Sequence, residues 1–134
     1  MANQDAAASV KQESSNGIPD FATIHVSLTY DGYDTMNFWF RRSLGVKLRK
    51  LQQEFFGKTP TEQMEQQQHY RVMFLAELAV KHPDNVPGYV KGDSIEDSFK
   101  QFFSNEAMDD VVDHLWVGYQ AKLYPKEIMS NLSS

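Results

Sequence analysis

The chain of 134 residues contains no cysteine, which excludes a disulfide framework, thiolate zinc sites and thiol nucleophiles. It also lacks a long apolar run. The longest, Val72-Met73-Phe74-Leu75-Ala76, falls far short of the ~20 residues that a bilayer-spanning helix requires, so no membrane span is expected. The amino-terminal residues Met1-Ala2-Asn3-Gln4-Asp5 have neither the basic start nor the apolar stretch of a secretory leader. Positive charge is in deficit, with 13 Lys and Arg against 18 Asp and Glu and a formal net charge of −5, which disfavours unselective binding to nucleic acid. Catalytic motifs are missing as well. Gly88 and Gly92 are not followed by the lysine and hydroxyl of a phosphate loop, and the four histidines, at 25, 69, 82 and 114, never share one element at ligand spacing. No catalytic, cofactor or metal residue is assigned, and the cytoplasm is the default compartment.

What is present fits one domain: the chain's length matches a single small core, and its 41% hydrophobic and 23% charged residues are ordinary globular usage. Residues 1–20, rich in Ala, Ser, Asn, Gln and Asp, cannot offset their ordering entropy by burial and read as a flexible arm. Residues 21–128 form the expected domain, and 129–134 a frayed end. From Phe21 the sequence alternates, with Ala22, Ile24, Val26 and Leu28 on one parity, and a second alternating run carries Met36, Phe38 and Phe40. This predicts a hairpin over 21–41 with one buried face. A two-residue Asp31-Gly32 loop would put the two apolar sets on opposite faces. A three-residue loop, Tyr30-Asp31-Gly32, pairs Val26 with Met36 and Ile24 with Phe38 instead.

Four helices are predicted after the hairpin. The first covers 43–56, capped by Ser43, with the stripe Leu44, Leu48, Leu51, Phe55 and a stop at Gly57. The second covers 60–82, opened by the capping box Thr59-Pro60-Thr61-Glu62 and ended by Pro83. Its first half is polar and its second half, from Tyr70, largely apolar. After a loop rich in proline and glycine, a short helix capped at Asp93-Ser94 covers 94–104, a last one covers 106–124, capped by Asn105 and striped by Met108, Val111, Val112, Leu115, Tyr119 and Leu123, and Pro125 starts a short terminal turn. The expected fold is α+β and mostly helical, an N-terminal β-hairpin packed on a bundle of about four helices.

Binding features are clearer than chemical ones. Arg41, Arg42, Lys47, Arg49, Lys50 and Lys58 face Glu54 alone across the first helix and its approach. That pattern suits phosphate or an acidic protein, and a solvated face is the plainer explanation. Glu106, Asp109, Asp110 and Asp113 form an acidic counterpart on the last helix, without the looped ligand pattern of a calcium site. The acidic and basic faces are able to pair with each other, within one molecule or between copies. Asp110 and His114, one turn apart, read as a surface pair. Trp39, Phe56 and Tyr89 stand off the predicted apolar stripes, where large aromatics suit an interface or a satellite cluster under the 83–92 loop. The candidate partner-binding set is therefore Trp39, Arg41, Arg42, Lys47, Arg49, Lys50, Phe56 and Tyr89. A lone hairpin also leaves two strand edges open to a further strand or a second copy.

The hairpin segment Val26-Ser27-Leu28-Thr29-Tyr30-Asp31-Gly32, the helical body and the carboxy-terminal helix Met108-Asp109-Asp110-Val111-Val112-Asp113-His114-Leu115-Trp116-Val117-Gly118-Tyr119 resemble the tail assembly chaperones of long-tailed, siphovirus-like bacteriophages over roughly residues 21–128. The resemblance implies a non-enzymatic protein without cofactors that binds the tape measure protein and keeps it soluble while tail tube protein polymerises around it. It also implies a place in the host cytoplasm and absence from the mature virion. A longer, frameshifted form of the chain and homo-oligomers are implied partners; membranes are not, and nucleic acid is disfavoured. The alternatives are a small ubiquitin-like adaptor, which needs at least two more strands, and a nucleic-acid-binding regulator using residues 41–58.

Overall fold

The computed structural model describes residues 19–123. The expected arm, apart from its last two residues, and the terminal turn and frayed end after Leu123 lie outside this range. A single 3-10 turn, Asp20–Ala22, leads into β1 (Thr23–Leu28), which pairs antiparallel with β2 (Met36–Arg41). Four α-helices follow: α1 (Gly45–Phe56), α2 (Pro60–Leu78), α3 (Ile95–Phe103) and α4 (Asp109–Leu123). The architecture is thus α+β and mostly helical, with the hairpin laid on the helices.

The hairpin keeps the expected parity but slides by two residues. Val26 pairs with Phe38, Ile24 with Phe40 and Leu28 with Met36, in place of the expected pairing of Val26 with Met36. A two-residue slip leaves every side chain on its face, so alternation cannot distinguish the two registers. Contacts outside the strands decide. Tyr33 N–H donates to Tyr30 O at 3.0 Å, with Gly32 at φ +83°, so residues 30–33 close the tip. Asp34 and Thr35 then lengthen the return limb, and the Thr29 and Thr35 hydroxyls meet at 2.8 Å. Asn85, itself at φ 60°, donates from Nδ2 to Thr35 O at 3.0 Å and fixes that limb.

The edges are not equivalent, contrary to the expectation of two open ones. The outer edge of β2 is covered by the chain's own residues 79–84: Asn37 and Asp84 exchange two backbone hydrogen bonds of 3.1 and 2.9 Å, and Val80 N–H donates to Trp39 O at 3.0 Å. This pairing also explains why α2 ends at Leu78 and not near His82. Ala79 turns to extended geometry, ψ 127°, and bridges to Phe40, so the last predicted turn of helix is exchanged for sheet hydrogen bonds. The α2 start is as expected: Thr59 Oγ1 accepts from Glu62 N–H while the Glu62 carboxylate accepts from Thr59 N–H. That backbone hydrogen bond, with the one from the Thr59 hydroxyl, holds the Glu62 carboxyl below its ordinary range.

Two other helix starts move. Ser43 does not cap α1; the chain enters through Leu44 without a side-chain acceptor, and Gly45 sits at φ +77°. The entry is held from the carbonyl side, where Arg41 Nε and Nη2 donate to the carbonyls of Ser43 and Leu44 at 3.1 and 3.3 Å. Asn105 caps a 3-10 turn, Glu106–Met108, before α4 begins at Asp109. Ser94 caps α3 through the Asp97 N–H, as expected.

The apolar face of the hairpin supplies the centre of the core. Phe38 meets Phe103 edge-on, and Phe40 meets Phe99 and Tyr119 in the same way, the arrangement favoured by ring quadrupoles. Leu75, Leu78, Val112 and Leu115 close the layer behind them and are likewise buried. On α4, Gly118 approaches β1 so closely that a Cβ there would lie 2.9 Å from Val26 Cγ1. Alanine in a helix gains about 1 kcal/mol over glycine, yet forcing a methyl into a packed contact typically costs about 1–3 kcal/mol. Gly118→Ala is therefore expected to lower Tm, and the same change is expected to raise Tm in a Val26→Ala background. A higher Tm for Gly118→Ala alone would contradict the close approach.

Candidate protein-binding surface

The basic cluster divides into cations that hold the fold and cations that face solvent. Arg41 belongs to the first group. Its Nη1 donates to Glu77 O at 3.0 Å, besides the two carbonyls at the start of α1, and Tyr119 OH donates to Arg41 O at 3.2 Å. Lys47 Nζ lies 2.9 Å from the Glu77 carboxylate and 3.7 Å from that of Glu96, joining α1, α2 and α3. The hydrogen bond to Glu77, backed by the charges of Glu77 and Glu96, holds the Lys47 ammonium above its ordinary range. Arg42 donates to Phe21 O at 3.2 Å. Arg49, Lys50 and Lys58 are exposed and make no ion pair among the described residues.

The aromatic candidates separate in the same way. Trp39 sits on the outer face of the hairpin, stacked on His25 at 5.3 Å with the Lys81 ammonium 3.7 Å from its ring centroid. Tyr89, within the 83–92 loop, is half-buried and packs with Phe102 against the main core, not in a separate satellite cluster. Its ring packs edge-on against Phe102, its hydroxyl lies 2.9 Å from His82 Nδ1, and burial raises its pKa. His82 Nε2 donates to Gly92 O at 3.1 Å, and Gly92 N–H donates to the buried Ser98 hydroxyl at 2.9 Å, so the loop is pinned from both sides. Phe56 is different. It touches Phe55 and Tyr70 edge-on, yet remains 62% exposed.

Next to Phe56, α1 and the first turns of α2 enclose an open cleft of about 510 Å³. Leu51, Phe55, Tyr70 and Met73 form its apolar floor, and Glu54, Gln66, His69 and Lys58 its polar rim. Phe55 and Tyr70 stack at 4.0 Å, and burial pushes the Tyr70 phenol up to about 12, so the floor carries no charge at neutral pH. The polar first half of α2 is what leaves this cleft open: Glu62, Glu65, Gln66 and Gln67 stay in solvent, while burial begins at Tyr70.

A second, smaller depression of about 300 Å³ lies at the far end of the hairpin, where Tyr30, Tyr33, Met36, Val86, Met108 and Val111 converge. Sequence reasoning did not find it. These residues come from the tip of the hairpin, the loop after α2 and the start of α4, so only tertiary structure brings them together. The acidic face of α4 is partly engaged. Asp113 pairs with Arg71 at 2.8 Å, which also lies over Trp116. His114 does not pair with Asp110; its Nδ1 meets the Tyr30 hydroxyl at 2.7 Å. Desolvation, then the charge of Asp110, raises the Tyr30 pKa. Among the described residues no group of three or more His, Asp or Glu is arranged to hold a metal, and no helix is long and apolar enough to cross a membrane.

Compared with protein-family models, curated proteins and solved structures, the chain matches none. The division of the cations has a direct test. Arg41→Lys, which retains charge but loses the fork that serves several carbonyls, is expected to cost about 1–3 kcal/mol. Arg49→Ala is expected to stay within about 0.5 kcal/mol of wild type. Equal urea midpoints for the two variants would contradict the structural role given to Arg41.

Proposed function

We propose that this protein is a non-enzymatic assembly chaperone of the tail-assembly type, which covers an apolar stripe of a long helical client, the tape measure protein, until tail tube protein encloses it. The observation that carries this reading is the open α1–α2 cleft, with a floor of Leu51, Phe55, Tyr70 and Met73. A cleft between two helices with an apolar floor and polar rim is the geometry that receives an amphipathic helix. Met73 adds an unbranched, polarisable side chain that adapts to varied apolar partners. The reading places the protein in the host cytoplasm during tail assembly and outside the finished particle. The ubiquitin-like alternative fares less well, because the described residues contain two strands and residues 86–90 form part of a loop.

An amino-terminally tagged copy at the native locus should co-purify a very long, helix-rich protein, identified by peptide mass spectrometry. Met73→Glu and Lys58→Glu should each reduce that recovery at least tenfold while retaining the wild-type far-ultraviolet circular dichroism and Tm within a few degrees. Recovery of nucleic acid or of a small signalling protein without any long helical partner would overturn the proposal. So would undiminished recovery by both cleft variants.

A further inference from the structure

The depression lined by Tyr30, Met36, Met108 and Val111 is continuous with a second recess at the tip of the hairpin, of about 440 Å³, lined by Asp34, Asp84, Asn85 and Lys91. Tyr33, Val86 and Pro87 line both, so a ridge one side chain wide divides an apolar pocket from a polar one. None of these residues lines the α1–α2 cleft. The walls are fixed in the monomer. The Tyr30 hydroxyl meets His114 Nδ1 at 2.7 Å, Asn85 Nδ2 donates to Thr35 O at 3.0 Å, and Asn37 and Asp84 exchange their backbone pair. A groove ordered in advance spares a ligand the cost of ordering it. Its polar side chains are uncommitted: Asp34 and Asp84 are exposed and form no ion pair among the described residues, and neither does Lys91. Two carboxylates against one ammonium leave the recess negative. Asp110 reinforces that sign beside the depression, where desolvation and then its charge raise the Tyr30 pKa, and Glu106 is exposed in the turn that carries Met108. Between the two pockets Tyr33 is 61% exposed, an aromatic surface that burial within the monomer does not use.

We propose that this groove docks an extended, basic segment of a partner protein, with a large apolar side chain in the Tyr33/Met108 depression and an arginine in the Asp34/Asp84 recess. A volume of about 300 Å³ holds one such apolar side chain. Alternate residues on one face of an extended chain stand about 7 Å apart, which suits two pockets that share a wall. Asp34 and Asp84 supply acceptors for a guanidinium fork, and the exposed Tyr33 ring on the shared wall is available to the same cation. The negative rim selects against acidic peptides and against nucleic acid, whose phosphates it repels. Lys91 opposes the incoming arginine and weakens the site without reversing its sign. Because the groove and the α1–α2 cleft have separate linings, the groove stands or falls independently of the proposed client.

The test uses the full chain with isotope-labelled methionine methyls and two synthetic probes. One is a capped heptapeptide in which phenylalanine and arginine alternate with serine between terminal glycines, and the other carries glutamate in place of the arginine. In NMR titrations the arginine peptide should shift the Met36 and Met108 methyls saturably and leave Met73, on the cleft floor, in place. Raising the salt from about 50 mM to about 500 mM should weaken this binding several-fold, as screened charge requires. Asp34→Asn combined with Asp84→Asn, both at exposed positions, should weaken it about fivefold or more, and Lys91→Gln should tighten it about two- to fivefold, the size of screened surface charge interactions. Thermal melts confirm that each variant is folded. The proposal is overturned by the absence of a saturable shift at Met36 and Met108, by equal binding of the glutamate peptide, by undiminished binding to the double variant, or by weaker binding to Lys91→Gln. Shifts at Met73 instead would put the peptide in the cleft, and shifts at Met36 and Met108 on concentrating the protein without peptide would give the groove to a second copy; either result also overturns it.

Discussion

Strand β2 is hydrogen-bonded along both edges, to β1 through the hairpin register and to residues 79–84 through Asn37, Trp39 and Asp84. A free two-stranded hairpin is marginal in water, and this one is made part of the domain by the exit of α2. The same strand sends Phe38 and Phe40 into the core against Phe99, Phe103 and Tyr119. Its last residue, Arg41, ties the carbonyls that begin α1 to the one near the end of α2. The hairpin, the helix entry and the helix exit are therefore consequences of one central strand, and the surfaces available for partners are what that arrangement leaves uncovered.

Local rules made most of the fold legible. The Thr59–Glu62 capping box, the Ser94 cap and the change from polar to apolar residues at Tyr70 are short-range patterns, and each appears where the sequence places it. The misread features all depend on distant partners. The hairpin register depended on Asp84 and on Asn85, which bonds Thr35 from 50 residues away along the chain. Helix α2 stopped early because β2 competed for the backbone groups of Ala79 and Val80. Ser43 caps nothing, and its carbonyl is instead held by Arg41, a side chain that charge counting had placed in the solvated basic face.

The candidate surface was less legible for the same reason. Charge runs identify cations but not their partners, so Arg41 and Lys47, held by Glu77, could not be separated from Arg49 and Lys50. Aromatic residues off a stripe identify something unusual without saying whether it is inside or outside. Trp39 and Tyr89 proved to have close neighbours, whereas Phe56 remained exposed. The Tyr33/Met108 depression had no linear signature, because its lining comes from three separate segments. What the sequence did carry was the opposed charges of α1 and α4, and Arg49 and Lys50 on the one and Asp110 on the other remain exposed.

Native-state hydrogen exchange at the Asn37 and Val80 amides tests the central role of β2 most directly. These N–H groups donate to Asp84 O and Trp39 O across the second edge of the strand. If β2 joins hairpin and helices into one cooperative unit, both amides exchange with the same opening free energy as the buried amides of α2 around Phe74 and Leu75. Exchange of Asn37 and Val80 through a low-energy local opening, while the α2 amides stay protected, would show that the hairpin is an appendage and that the helices fold without it.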